Sequence, residues 1–194
     1  MNASAAGTGL NKDDIKAKLN VQVDKAVVNG YPYRRLSIDG TASPKMFEGK
    51  VEIQDSNLAF IFNGTVNTNK EKPTYKFTLD LKGADLHRLN FTTDDIRVSG
   101  IMTSDFIGED INDINGNIDI RHIVIVKNNK RYTIDSLVYV SIIIEEQTHI
   151  SVASTIFAGQ FDGTISPGQL PELLKEHFDH YFALQGIWFC FSVK

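Results

Sequence analysis

Hydrophobic and polar residues alternate with a period of two along most of the chain between positions 17 and 165. Leu19, Val21 and Val23 alternate with polar neighbours, as do Leu36 and Ile38, then Phe47, Val51 and Ile53, then Leu58, Phe60 and Phe62. Tyr75, Phe77, Leu79 and Leu81 are interleaved with Lys76, Thr78, Asp80 and Lys82. Successive side chains of a strand point to opposite faces, so the pattern predicts β-strands with one dry face and one wet face. Gly, Asn, Asp or Pro bounds each run, as turns require. The predicted fold class is all-β, with a mostly antiparallel sheet over residues 16–166.

Local departures from the alternation carry further expectations. "IVIVKNNKRYTID" predicts a hairpin turning at Asn128-Asn129. "LVYVSIII", residues 137–144, is apolar at both parities, which predicts a strand covered on both faces. His122 falls in phase with Ile118, Ile120, Val124 and Val126, the position of a core or rim histidine. Near Ser154 the apolar parity switches, which predicts a bulge or a strand break. "SPGQLPELLKEHFDHYF" places Leu170, Leu174, Phe178 and Phe182 on one helical stripe, predicting an amphipathic helix over 167–184 that caps an end of the sheet. Residues 1–15 are small and polar, a predicted flexible tail; residues 185–194 are apolar, a tail or a truncated strand.

Glycine recurs in phase with the apolar face, in units such as Phe47-Glu48-Gly49-Lys50-Val51, Phe62-Asn63-Gly64-Thr65-Val66 and Phe161-Asp162-Gly163-Thr164-Ile165. Looser copies centre on Gly40, Gly100 and Gly116. Glycine weakens a strand interior, so its repetition on the inward face implies either sharp bends or gaps between large side chains. Two architectures fit. In one, the sheet curves around a core that it fills; in the other, a strongly curved sheet leaves its concave apolar face open as a taco-like or β-helix-like trough. A single helix is too little to cover so many one-sided strands, so the sheet folds upon itself or holds a ligand.

Composition narrows the function classes. With 194 residues, 42% hydrophobic and 23% charged, the chain can build a sizeable core. A net charge of −4 with interspersed signs argues against a nucleic-acid binder. One cysteine, Cys190, excludes an internal disulfide and a thiolate cluster. The start lacks a basic segment followed by an apolar run, and no apolar stretch approaches the ~20 residues of a membrane-spanning helix.

Reactive chemistry is sparse. His177, His180 and Glu176 share a helix side but lack a third strong ligand, and a solvated face accounts for them. Within the acidic run 105–119, Asp113, Asn115, Asn117 and Asp119 put oxygen side chains at alternate positions, yet the glycine and the closing residue do not fit a calcium loop. No nucleophile elbow or phosphate loop is present. The expectation is a protein without catalytic residues, metal or cofactor.

The stretches "YPYRRLSIDGTASPKMFEGKVEIQDSNLAFIFNGTVN", "YKFTLDLKGADLHRLNF" and "IRVSGIMTSDFIGEDINDINGNIDI" resemble the AsmA-like β-repeat region of the TamB family of translocation and assembly modules of Bacteroides-type bacteria. The similarity covers roughly residues 17 to 185 and rests on diffuse strand-turn units. It implies an internal piece of a periplasmic protein anchored in the inner membrane, with a hydrophobic trough that carries phospholipid between membranes. The resemblance also implies neighbouring repeats and an outer-membrane β-barrel assembly partner, engaged through regions outside this chain. On that reading Phe47, Val51, Phe60, Phe62, Phe77, Leu79, Val98, Met102, Phe161 and Ile165 line a groove for phospholipid acyl chains, and Gly49, Gly64, Gly100 and Gly163 give it width. The competing expectations are a bacterial surface binding or adhesion module with a filled core, and a β-helix carbohydrate-active enzyme using the carboxylates of 105–119.

Overall fold

A computed structural model describes residues 2–8, 16–68, 71–110, 112–169 and 172. Eleven strands follow one another: β1 (Asn2–Thr8), β2 (Lys16–Val28), β3 (Tyr31–Ser43), β4 (Met46–Gln54), β5 (Leu58–Asn67), β6 (Thr74–Asp85), β7 (Ile96–Ile107), β8 (Asn115–Lys127), β9 (Lys130–Ile144), β10 (Gln147–Ser154) and β11 (Ala158–Gly163). They form one sheet in chain order, and every neighbouring pair is antiparallel. β1 and β11 are its two edges, so the sheet is open, and the architecture is a meander rather than a parallel β-helix.

The register turns the sequence alternation into continuous rows. Val21, Ile38, Val51, Phe62, Leu79, Met102, Ile120 and Leu137 are successive partners from β2 to β9. The adjoining row on the opposite face runs Asn20, Asp39, Lys50, Asn63, Thr78, Thr103 and Asp119, and becomes apolar only at Val138. A slip of one residue in any strand would exchange these faces, which is why the pattern fixes the pairing. The polar face carries exposed ion pairs such as Lys76–Asp105 at 2.8 Å and Arg121–Asp119 at 2.7 Å. At such exposure they contribute little stability.

The turn at Asn128-Asn129 forms as expected, with φ of 49° and 64° and Lys127 paired to Lys130. Positive φ at both central residues matches the twist of the flanking strands. The parity switch near Ser154 is the reversal between β10 and β11. Ser154 Oγ accepts from the Ile156 and Phe157 amides at 3.2 and 3.0 Å, closing a serine turn.

Other expectations are corrected. Asn2–Thr8, expected in a flexible tail, pairs along its whole length with β2, from Asn2↔Gln22 to Thr8↔Lys16. A ladder is made from backbone groups that every non-proline residue carries, so low hydrophobicity did not preclude it. The rest of the 1–15 segment lies outside the described residues. Of the expected capping helix 167–184, the described part is a 3-10 turn, Pro167–Gln169, and the single helical residue Glu172; the rest lies outside the described residues, as does the 185–194 tail. Strand β9 is not covered on both faces, because Ile142 and Ile144 on the outer side are 45% and 61% exposed. His122 is exposed rather than in the core. It sits at φ 53° in a bulge where His122 and Ile123 together oppose Gly100, and the extra residue shifts Ile123 and Ile125 onto the apolar face.

At one end of the strands the sheet curls. The short β4–β5 hairpin lies between two longer projections, the β2–β3 tip and the 86–95 connection, and these touch above it. Asn90 Nδ2 donates to the Asn29 carbonyl at 3.4 Å. The 86–95 connection is joined in turn to the β8–β9 tip by the Asn128 amide on the Asp95 carbonyl at 3.1 Å and by Lys127–Asp94 at 3.0 Å. A second bulge, at Lys82-Gly83 in β6, lies beneath this rim.

Candidate functional site: an apolar pocket under the 86–91 turn

The connection from β6 to β7 folds back because its own sequence makes one helical turn. The Asp85 carboxylate accepts from the Arg88 amide at 3.0 Å, and its carbonyl accepts from Leu89 at 3.0 Å. This is an aspartate capping a first turn. Asn90 ends it in the left-handed region, φ 64°, a conformation asparagine tolerates. Leu86 and Leu89, three apart, therefore share a side and point at the sheet. Leu89 is only 1% exposed, against the half-exposed apolar side chains of the strands below.

Between this turn and strands β4 to β7 lies an open pocket of about 520 Å³, lined by Val51, Leu58, Phe60, Phe62, Leu79, Leu81, Ala84, Leu86, Leu89, Phe91 and Val98. Its size falls within the range of small-molecule and cofactor sites, roughly 300–1,000 Å³. Every lining residue among those described is apolar. Such a surface can remove apolar groups from water at about 25 cal/mol per Å².

An aromatic wall bounds the pocket on the side away from the 86–91 turn. Phe62 and Phe77 have ring centroids 5.1 Å apart, and Phe47 and Phe62 6.1 Å. The rings gather where Gly40, Gly49 and Gly64 are cross-strand partners in one row that continues to Phe77. A Cβ on Gly64 would lie 2.3 Å from the Lys76 carbonyl oxygen, and one on Gly49 2.3 Å from that of Asp39. Both have φ of 157°, which side-chain-bearing residues rarely adopt. The glycines thus serve close backbone approach at a crease, and phenylalanine rings occupy the space that they leave, as aromatic cover of sheet glycines does elsewhere. Tyr75 and Phe106, stacked at 4.7 Å beside Gly116, repeat the device further along.

At the mouth, Asp55 is 7% exposed and tightly bound. Tyr31 donates to it through a short hydrogen bond, the Asn57 amide donates at 2.9 Å, and Asn57 Nδ2 donates to the Tyr31 hydroxyl at 2.9 Å. Burial pushes the Asp55 carboxyl up, but the hydrogen bonds from Tyr31 and the Asn57 and Arg34 amides, with the Arg34 charge, outweigh it and hold the carboxyl below its ordinary range. The Tyr31 phenol is raised, by burial first and then by its bond to Asp55. The cluster ties the β2–β3 tip to the β4–β5 hairpin and so frames the pocket.

No protein-family model, curated protein or solved structure matches the chain. The site must therefore be understood from its own geometry. Of the residues expected to line a groove, Val51, Phe60, Phe62, Leu79 and Val98 meet in the pocket, and Phe47, Phe77, Gly49 and Gly64 build its wall. Met102 lies one strand on, between Leu79 and Ile120, and Gly100 faces the β8 bulge. Phe161 and Gly163 are on edge strand β11 and Ile165 follows it, six strand spacings from β5 and so ~28 Å away along a flat sheet. Leu58, Leu81, Ala84, Leu86, Leu89 and Phe91 were not anticipated. For Leu86, Leu89 and Phe91 the signal was available in "DLHRLNF", where three large apolar residues interrupt a stretch otherwise suited to a polar loop.

The expected acidic loop 105–119 is occupied with its own backbone. Asp113 Oδ1 accepts from the Glu109 and Asp110 amides at 2.7 and 3.0 Å, and Asp110 accepts from the Asn112 amide at 2.7 Å.

Proposed function

We propose that this chain is a non-enzymatic lipid-handling segment that shelters acyl chains on the apolar face of its curved sheet. The observation that carries the reading is the pocket beneath the 86–91 turn, open to one side and lined, among the described residues, by apolar side chains throughout. An acyl chain in water costs about 0.8 kcal/mol per exposed methylene, and a dry, preformed surface removes that cost without reactive groups. The continuous apolar row from Val21 to Leu137 extends the same surface beyond the pocket. With the resemblance to AsmA-like repeats, we place the chain within a periplasmic, inner-membrane-anchored TamB-like protein. Neighbouring repeats and an outer-membrane β-barrel assembly partner would then lie beyond it.

Native mass spectrometry of the purified chain, with organic extraction of the same sample, tests the proposal. Phospholipid at defined stoichiometry, lost in Phe62→Asp with the fold retained by circular dichroism, is the expected result. A well-folded, lipid-free wild-type chain that also takes up no added phospholipid overturns it in favour of a binding or adhesion module.

A further inference from the structure

Among the described residues, large apolar side chains are exposed at the curled end of the strands in a way the fold does not require. Val27 and Val28 at the β2–β3 tip, Phe91 in the 86–95 connection and Tyr132 beside the β8–β9 tip are each more than half exposed. These three projections are the ones linked through Asn29–Asn90, Asn128–Asp95 and Lys127–Asp94, so their apolar residues belong to one rim. Basic residues stand exposed around them: Lys25, Arg34 and Arg35 on the first projection, Lys130 and Arg131 on the third.

The charge of this end differs in sign from that of the whole. Residues 24–35, 54–59, 82–99 and 122–135 hold nine Lys or Arg and six Asp or Glu, in a chain with 20 and 24. One of the six, Asp55, is buried, and Asp85, Asp94 and Asp95 are paired with Arg88, Lys127 and Arg97. At the opposite end, the connections 44–45, 68–73, 108–114 and 145–146 hold six Asp or Glu and three Lys. The charge of the molecule is therefore polarised along its strands, basic at one end and acidic at the other.

We infer that the basic rim docks on the surface of a bilayer rich in anionic phospholipid, with Val27, Val28, Phe91 and Tyr132 entering the interface and the basic side chains at headgroup level. Apolar side chains flanked by Lys and Arg are the pattern that binds such interfaces, by apolar burial together with attraction to anionic lipid. Phe91 belongs to both features, since it lines the pocket and is 62% exposed at the rim. Docking there sets the pocket mouth against the lipid surface, so the acyl chain crosses no bulk water. The acidic end faces away, which fixes orientation. This inference deepens the lipid-handling reading and rests on it for what the docked rim accomplishes.

Flotation of the full chain with phosphatidylcholine vesicles, and with vesicles of equal parts phosphatidylcholine and phosphatidylglycerol, tests it. Binding to the mixed vesicles only, abolished by high salt, is expected. Lys130→Glu with Arg131→Glu should weaken it about tenfold or more. Val28→Asp with Tyr132→Asp should do likewise, and both pairs should keep their extracted lipid content because neither touches the pocket lining. Equal binding to both vesicles, or none, overturns rim docking even if the chain carries lipid. Mixed-vesicle binding unaffected by the tip variants overturns insertion. A chain that binds mixed vesicles through the rim but never holds lipid sinks the lipid-handling reading and leaves the docking surface standing.

Discussion

The apolar face of the sheet is treated differently in its two halves. Over β4 to β7, toward the curled end, it is half-exposed, roofed among the described residues by Leu86, Leu89 and Phe91, and hollow enough for a pocket. Over β7 to β10, toward the opposite end, it carries a closed patch: Ile150 is 1% exposed, and Ser104, Ser141 and Thr148 are buried with it. Burial pushes the Tyr139 phenol up, as expected where little water enters. Pro167 is buried near this half, and Ser166 Oγ donates to Asn112 Oδ1 at 3.1 Å, so the chain after β11 returns to the β7–β8 connection. The same alternation thus produces a surface that holds the fold in one half and a surface left available in the other.

Stability measurements in urea distinguish the halves directly. Ile150→Ala should cost about 2–5 kcal/mol, because it empties a closed site. Phe62→Ala removes a larger side chain but from a half-exposed position, and should cost less than Ile150→Ala. Equal or reversed costs would mean that the pocket is part of the filled core.

Asp55→Ala comes next, at about 1–3 kcal/mol, since it leaves Tyr31 and two amides without their acceptor. The pH dependence has a definite sign. The Asp55 carboxyl is depressed in the folded state, so its contribution is present above the ordinary carboxylate value of about 4 and is lost as pH falls through the folded value. Wild type should therefore lose stability on acidification below about pH 4 more steeply than Asp55→Ala; parallel curves would remove Asp55 as the cause.

Ser104→Ala should move the other way, raising stability by up to about 1 kcal/mol, because the Ser104 hydroxyl is buried without a partner among the described residues. Destabilisation there would reveal a hydrogen bond across the closed patch. The smallest effect belongs to the β9–β10 turn, where Glu145 has φ 54°. Glu145→Gly should raise stability by about 0.5–1 kcal/mol, read as a shift of the thermal midpoint that leaves both halves unchanged.

Alternation and turn residues alone specified the class of fold, the two faces of the sheet and the reversal at Asn128-Asn129, because period two and left-handed turn geometry are local properties of the backbone. The apolar character of the binding surface was legible for the same reason: Val51, Phe60, Phe62 and Leu79 share one parity with a row that runs across the sheet. Bulges were not legible. One extra residue at His122 moved the following side chains to the other face, and nothing in its immediate neighbours announces that. Nor could sequence say which way the in-phase glycines acted, since a gap and a crease require the same missing side chain. Only the tertiary structure decided these matters. It set carbonyl oxygens where a Cβ would stand, placed Phe47, Phe62 and Phe77 over the space, and brought a 10-residue connection and two distant hairpin tips to a common rim. Such contacts join residues far apart in the chain, and the physical reason they escape a sequence is that their energy belongs to packing between strands rather than to any one of them.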